Sequence, residues 1–258
     1  MIKKAELKSH INEEIILIDQ EKFSLDFLEN DSKHVVLKIE KENHQIKINV
    51  EENSHVKVLL LSFNNQSRNV NIVTNVKRYG SIHIIIGFQN ERSDVNAVIN
   101  LNGEGSSAEI NSLIISRNDN VQNANYQIVN NAIHTSGEIN VVGIASENAT
   151  LSVDGIGTIN KGMHNSHNHQ LLTGINFDNS KIQMNPYLLI DEHDVIAGHG
   201  ATIGQIDEDI LYYMMSRGLT KETSKNLYIK GIVEPFVDEI FNKDLCRQFN
   251  YHLWGDHS

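Results

Sequence analysis

The chain contains very little cysteine and no long apolar segment. Its single cysteine, Cys246, excludes an internal disulfide framework and fits a reducing compartment. Nowhere do about 18 apolar residues follow one another, and no apolar run of signal-peptide length follows the N-terminal lysines. We therefore expect a cytoplasmic protein that neither spans a membrane nor is exported.

The charge of the chain is mostly of one sign. It has 22 Lys and Arg against 33 Asp and Glu, a formal net charge of −11 at pH 7. No stretch gathers Lys and Arg with aromatic residues into a basic face. We therefore do not expect nucleic acid as a ligand.

From Glu13 to about Ile190 the sequence repeats one pattern, in which short segments of alternating apolar and polar residues are separated by Asn, Gly, Ser and Asp. The predicted strands lie at Ile15 to Ile18, Val35 to Leu37, Ile46 to Val50, Val56 to Leu60, Val70 to Val73, Ile82 to Ile86, Val95 to Ile99, Ile110 to Ile115, Tyr126 to Val129, Ile139 to Val142 and Leu151 to Val153. They recur roughly every 10–14 residues without an amphipathic helix between them, which disfavours βαβ folds.

Three all-β architectures remain: a sandwich, a closed barrel and a solenoid of stacked coils. The scarcity of proline, with only Pro186 and Pro235, favours the solenoid over roughly residues 10–200, and so does the scarcity of hairpin dipeptides. Asparagines near strand ends also favour it, because stacked turns can hold left-handed residues and amide ladders. These asparagines are Asn71, Asn75, Asn96, Asn100, Asn111, Asn130, Asn131 and Asn140. The pattern alone leaves the other two architectures open.

After Gly204 the pattern becomes helical, so we divide the chain into a β core, residues 1–204, and a helical segment, residues 205–258. Asp207 is the predicted N-cap of a first helix that ends near Arg217, with Gly218 just beyond it. A second helix is predicted from Thr220, and Gly231 and Pro235 should bend it or split it.

The part of the chain from Asn160 to Glu239 resembles the SufB/SufD family of iron-sulfur cluster assembly scaffolds, and its SufD-like members most. The resemblance is carried by Lys161 to Gly162, Ser166, Gln170, Pro186 to Glu192, Asp194 to Gly204, Asp207, Leu211 to Gly218, Ile229 to Gly231, Pro235 and Phe236. It implies a right-handed parallel β-helix that lacks the additional N-terminal helical region of most members.

The resemblance also implies a scaffold that is not an enzyme by itself. Family members pair through their β-helices and bind an ABC-type ATPase through their C-terminal helices. The implied partners are therefore a SufC-like ABC-type ATPase and a SufB-like homologous subunit or a second copy of this chain. No phosphate-binding Gly-Lys loop occurs in this sequence, so ATP hydrolysis has to come from a partner.

His199 matches the family's functional histidine and is the candidate for cluster assembly and for metal binding. A neutral imidazole can hold iron when an acceptor fixes its tautomer, and Asp191, Glu192 and Asp194 are nearby in sequence. The structural alternative is a hydrogen-bonded histidine at a tight turn between Gly198 and Gly200. Some SufD-like members have a cysteine where this chain has Ala197.

Clusters are held mainly by cysteine sulfur, so one histidine cannot hold a cluster alone. The resemblance therefore implies a heteromeric complex in which a transient iron-sulfur cluster is shared with a partner subunit. No position in the sequence indicates a flavin site.

For the interface with the ATPase, the candidates are on the predicted helices. They are Glu208, Tyr212, Tyr213, Arg217, Pro235 and Phe236. Aromatic and arginine side chains are enriched at protein interfaces. The alternative for Arg217 is pairing with Glu208 and Asp209 along one helix.

Two other functions compete with the scaffold. The first is a stand-alone metal-binding protein that uses His164, His167 and His169, although on a strand only the last two would share a face. The second is a polysaccharide-acting β-helix enzyme with Asp191, Glu192 and Asp194 as its acids, which would be expected to be exported and rich in aromatic residues. Cys246 is predicted to be a half-buried apolar residue of a helix.

Overall fold

The computed structural model describes residues 3–6 and 13–254, which form two parallel sheets and three helices. The strands of the odd sheet are β1 (Lys3–Glu6), β3 (Lys22–Phe27), β5 (Asn43–Val50), β7 (Arg68–Val76), β9 (Arg92–Leu101), β11 (Val121–Asn130), β13 (Thr150–Ile159) and β15 (Lys181–Ile190). The strands of the even sheet are β2 (Glu13–Ile18), β4 (Ser32–Ile39), β6 (His55–Asn64), β8 (Ser81–Asn90), β10 (Ser107–Ser116), β12 (Ser136–Ala145), β14 (Ser166–Asn176) and β16 (Val195–Gly204).

Each strand pairs in parallel with the strand two places away in sequence, so the chain passes from one sheet to the other and back in every coil. Strands β10 and β12, for example, are in register from Ser107 opposite Ser136 to Ser116 opposite Ala145. This topology is a parallel β-solenoid, which confirms the predicted fold class and excludes the sandwich and the barrel.

The core lies between the two sheets because alternate side chains of each strand point inward. In β11, Ala124, Tyr126 and Ile128 are buried, and the intervening Asn125 and Gln127 are partly exposed. One continuous cluster of buried apolar side chains runs from Ile18 to Met184.

The coils turn at stacked positions where one residue has positive φ. Between odd and even strands these residues are Asn30, Asn53, Tyr79, Gly105, His134 and Asn165. Each donates its backbone N–H to a carbonyl of the next turn, as Asn53 does to Arg78 and Gly105 to Ile133. Left-handed asparagines therefore do occupy the turns, but they are not the ones that the sequence pattern singled out.

The predicted amide ladder is present on the outer side of the odd sheet. Each side chain donates to the residue one coil earlier, over distances between 2.6 and 3.3 Å. The order is Asn160, Asn131, Asn102, Asn75, Asn49 and finally the carboxylate of Asp26. Every amide in the ladder donates toward the earlier coil, and the last acceptor is the carboxylate of Asp26.

The helical segment consists of α1 (Glu208–Ser216), α2 (Lys221–Asp238) and α3 (Lys243–Trp254). As predicted, the side chain of Asp207 caps α1 by accepting from the Asp209 N–H, and Gly218 has a φ of 96° after the helix ends. Of the two outcomes expected for α2, a bend or a split, the split does not occur. Gly231 and Pro235 lie inside one continuous helix, and Pro235 removes one backbone donor in its last turn without ending it.

Helices α2 and α3 lie along the outer face of the even sheet. Their apolar side chains form a second buried cluster with outward-facing residues of that sheet, including Leu59, Ile85 and Leu113. Phe249 of α3 packs 4.8 Å from the ring of Phe63 in β6, and Asn242 donates a hydrogen bond to Glu13 at the start of β2. The helices thus run back toward the first coils.

Strand β16 ends at Gly204, and the division of the chain at this residue stays a prediction. Residues 1–2 and 7–12 of the predicted β core and residues 255–258 of the predicted helical segment lie outside the described residues. None of the described helices has a long enough apolar stretch to cross a membrane.

Candidate functional site

His199 lies in the middle of β16, the last strand of the even sheet, and not at a turn. Its register partner in β14 is Gln170. Because partners in a parallel sheet point to the same face and Gln170 is fully buried, His199 also points to the inner face of the solenoid. It is nevertheless exposed, because in the described part of the chain no further strand follows β16.

We call this end of the solenoid, formed by β15 and β16, the open end. Gln170 lies one coil below His199 and donates a hydrogen bond from its Nε2 to the Tyr187 carbonyl of β15 at 2.8 Å. The other inward-facing residues of the two last strands are mostly small or apolar, among them Ala197, Ala201 and Met184. His199 is thus an imidazole presented at an otherwise apolar end, which leaves it available as a ligand.

The acidic residues near His199 in sequence belong to the turn between β15 and β16. One carboxylate oxygen of Glu192 accepts from the Gly162 N–H and the other from the His193 N–H, each at 2.8 Å. These hydrogen bonds, that of His193 first, hold the pKa of Glu192 below its ordinary value. In the described residues, none of Asp191, Glu192 and Asp194 hydrogen-bonds the His199 ring, so the predicted tautomer-fixing acceptor is not formed.

The histidines of the alternative metal site are spread over two places. His167 and His169 are exposed on the outer face of β14, and His164 is in the preceding turn, 5.9 Å from the ring of His134. Across the described ranges, no group of three or more His, Cys, Asp or Glu side chains is close enough to hold a metal ion.

Helix α1 presents the predicted aromatic pair to solvent. Tyr212 is 74% exposed and Tyr213 is 59% exposed, and Glu208 is exposed at the start of the helix. The guanidinium of Arg217 lies over the Tyr213 ring at 5.2 Å, and no ion pair joins it to Glu208 or Asp209 among the described residues. The surface is therefore an aromatic and cationic patch on one short helix.

The two candidates on α2 have different environments. Pro235 is exposed, whereas Phe236 is buried against the even sheet, 5.8 Å from the ring of Phe249. Phe236 thus holds the helix on the solenoid and is not part of the exposed surface. Cys246 is half-buried on α3 next to the same cluster, and burial raises the pKa of its thiol.

Alternation of apolar and polar residues did not show that the apolar residues of the open end are exposed. Ile196 is 69% exposed, and Tyr187, Leu189 and Ile203 are also largely exposed. One signal was available, since Pro186 cannot donate to a further strand and therefore suits a strand near the edge. Which strands are the last cannot be deduced from alternation.

Comparison with known proteins identifies the family. A model of the SUF system FeS cluster assembly SufBD core domain matches residues 2–232. The chain belongs to the SufBD core family. This confirms the resemblance carried by Asn160 to Glu239 and extends it over the strands that precede this part.

Curated relatives agree with the SufBD assignment. The iron-sulfur cluster assembly protein SufD of Bacillus subtilis is 33% identical over 141 residues, which are 54% of this chain and 32% of that protein. A SufBD family protein of Mycobacterium bovis is 31% identical over 141 residues, 54% of this chain and 17% of its own length. One from Staphylococcus haemolyticus is 24% identical over 234 residues, 88% of this chain and 50% of that protein. This SufBD chain matches at most half of the length of these relatives.

Proposed function

We propose that this chain is a SufD-like, non-catalytic scaffold subunit of a cytoplasmic SUF-type complex that assembles iron-sulfur clusters. It pairs with a homologous subunit and docks a SufC-like ABC-type ATPase, which supplies ATP hydrolysis. The observation that carries the proposal is the position of His199, an exposed imidazole on the inner face of the last coil of a SufBD-type solenoid.

The open end supports pairing with a second solenoid. β15 and β16 are the last strands of their sheets in the described part of the chain, so each has one edge of backbone N–H and C=O groups without a strand partner. Such edges pair readily with strands of another chain. The exposed side chains of Ile196, Leu189 and Ile203 would each gain a neighbour on the same face of the sheet by such pairing.

This arrangement brings His199 to the boundary between two subunits. The imidazole can provide one nitrogen ligand, and this chain has Ala197 where a thiolate would be needed. Because clusters depend mainly on cysteine sulfur, the remaining ligands come from the partner. A SufB-like subunit that bears cysteine meets this requirement, whereas a second copy of this chain does not.

The exposed patch on α1 supports docking of the ATPase. Tyr212, Tyr213 and Arg217 are residue types that dominate binding energy at protein interfaces, and Glu208 and Pro235 extend the exposed surface. Phe236 contributes indirectly, because its burial fixes α2 to the even sheet.

The test is co-purification of the tagged chain from its native cells under anaerobic conditions. The proposal predicts recovery of an ABC-type ATPase and of a cysteine-bearing SufBD homologue, with iron-sulfur absorbance in the visible spectrum of the complex. Recovery of the chain without either partner contradicts it. A chain recovered alone with stoichiometric bound metal would favour the histidine-based metal-binding alternative.

A further inference from the structure

A groove of about 490 Å³ lies between α2 and the turns that join the even strands to the odd strands. Its walls combine apolar side chains, among them Ile115, Ile144, Ile229 and Val233, with polar and charged ones. It is separate from the open end and from the patch on α1, and its volume is in the range of small-molecule sites.

The guanidinium of Arg117 lines this groove without a polar partner. Arg117 is partly buried just after β10, and within the described ranges its side chain has neither a hydrogen bond nor an ion pair. Burial lowers its pKa, and the negative charge of Glu147 opposes this shift only in part. An arginine that is partly removed from water without a partner in the chain costs stability, and its N–H donors stay available to a ligand from outside the chain.

The negative charges of the carboxylates around the groove are stabilised by backbone groups. Glu147 accepts a hydrogen bond from the Asn118 N–H, and Asp178 accepts one from the Glu147 N–H at 3.2 Å. These two side chains join the stacked turns. Glu222 is in the first turn of α2, where the helix dipole stabilises negative charge.

A second cation faces the same space. Lys225 of α2 lies over the ring of Phe177, with its Nζ 5.4 Å from the ring centroid, and both residues line the groove. Within the described residues, the groove therefore combines two cations that form no ion pair with its three carboxylates, one aromatic ring and aliphatic side chains. We propose that this groove binds a small organic anion, a phosphate monoester or a carboxylate that carries an apolar group, with the anion on Arg117 and Lys225 and the apolar group against Phe177.

Binding of phenyl phosphate, benzoate, inorganic phosphate and phenol to the full chain, measured by isothermal titration calorimetry, tests this proposal. Phenyl phosphate or benzoate should bind with one-to-one stoichiometry, at least about tenfold more tightly than inorganic phosphate or phenol. The tighter of the two identifies the anion. No saturable binding of either at about 10 mM overturns the proposal.

Two variants locate the site. Arg117→Gln should weaken binding of the tighter probe at least about tenfold and Lys225→Gln several-fold, since each removes one contact to the anion. The control Arg247→Gln changes an exposed arginine on α3 and should leave binding unchanged. Equal affinity in Arg117→Gln and in the unaltered chain would contradict the assignment.

A stability measurement covers the case in which Arg117→Gln does not fold. Arg117→Met keeps the apolar stem and removes the charge, so without ligand its melting temperature should equal or exceed that of the unaltered chain by roughly 2 °C. A fall in melting temperature would show that the guanidinium stabilises the fold, which contradicts a ligand-binding role.

Discussion

His199 is stacked in register above Gln170, so that a buried carboxamide supports an exposed imidazole at the last coil of the solenoid. The carboxamide is itself fixed, because Gln170 Nε2 donates to the Tyr187 carbonyl at 2.8 Å. The backbone beneath His199 is therefore rigid, whereas its side chain is open to a partner. This is the combination that a shared ligand site needs.

We call the buried side chains of Asn168 and Gln170, which lie below His199, the polar layer. The packing of this layer should depend on a glycine of strand β13. A Cβ at Gly157 would overlap the carboxamide oxygen of Asn168, whose Nδ2 donates to Asn130 Oδ1 at 2.8 Å. Gly157→Ala should therefore lower the free energy of unfolding by about 1–3 kcal/mol, as other overpacked cores do. Chemical denaturation measures this value.

Gly204→Ala is the matched control, because Gly204 is also in a strand and no atom lies within 4 Å of its added Cβ. It should change the free energy of unfolding by less than about 0.5 kcal/mol. Equal effects of the two substitutions would show that the polar layer is not packed as described.

The proposed docking of an ABC-type ATPase should depend on α1. Changing Tyr212 and Tyr213 together to serine should weaken binding of the ABC-type ATPase by at least about tenfold, since exposed aromatic anchors carry much of the energy of an interface. Pull-down and calorimetry with the purified ATPase measure the effect. Thermal stability should stay the same, because both rings are already largely in solvent.

The control for α1 is Tyr251→Ser, which alters another exposed tyrosine, on α3. If this change weakens binding as much as the double change does, the ATPase does not recognise α1.

Stability should decrease in mild acid because of buried His44. The Lys41 N–H donates to its Nε2 at 3.1 Å, and its Nδ1 lies 3.0 Å from the Gln20 carbonyl, so the folded chain holds the neutral ring. Burial lowers the pKa of His44 from the ordinary value of 6.5. Below about pH 6.5, His44 of the unfolded chain takes up a proton that the folded chain resists. The contribution of neutral His44 to the free energy of unfolding is therefore complete above pH 6.5 and is lost as the pH falls toward the pKa of His44 in the folded state.

Denaturation between pH 8 and pH 5 checks this expectation. The His44→Gln variant should show a flatter dependence of unfolding free energy on pH than the unaltered chain, whatever its absolute stability. An unchanged slope would mean that His44 is not held neutral by the fold.

The sequence predicted most strands because alternation of apolar and polar residues persists where the core is apolar. It did not reveal β14 as a separate strand, because Ser166, Asn168 and Gln170 point inward and reverse the usual pattern. In β16 the glycines on both sides of His199 suggested a turn, whereas pairing with β14 imposes a strand.

The sequence also did not predict against which surface the helices pack. The apolar residues of α2 predicted a helix that is buried on one side, but nothing in them indicates which surface it covers. That surface consists of apolar residues such as Leu59 and Ile85 on the outer face of the even sheet, and these belong to strands more than a hundred residues earlier. For the same reason, the sequence does not show that Phe236 faces the even sheet.

Iron-sulfur cluster maturation by the purified complex, in variants of His199 and of His169, tests the central claim most directly. Both histidines are exposed on neighbouring strands, but His199 is on the inner face of the open end and His169 is on the outer face. His199→Ala should leave folding and partner recovery intact and reduce transfer of clusters to an apo-protein acceptor at least about tenfold, whereas His169→Ala should not reduce it. Equal maturation by His199→Ala and the unaltered complex would contradict a role for His199 in cluster assembly.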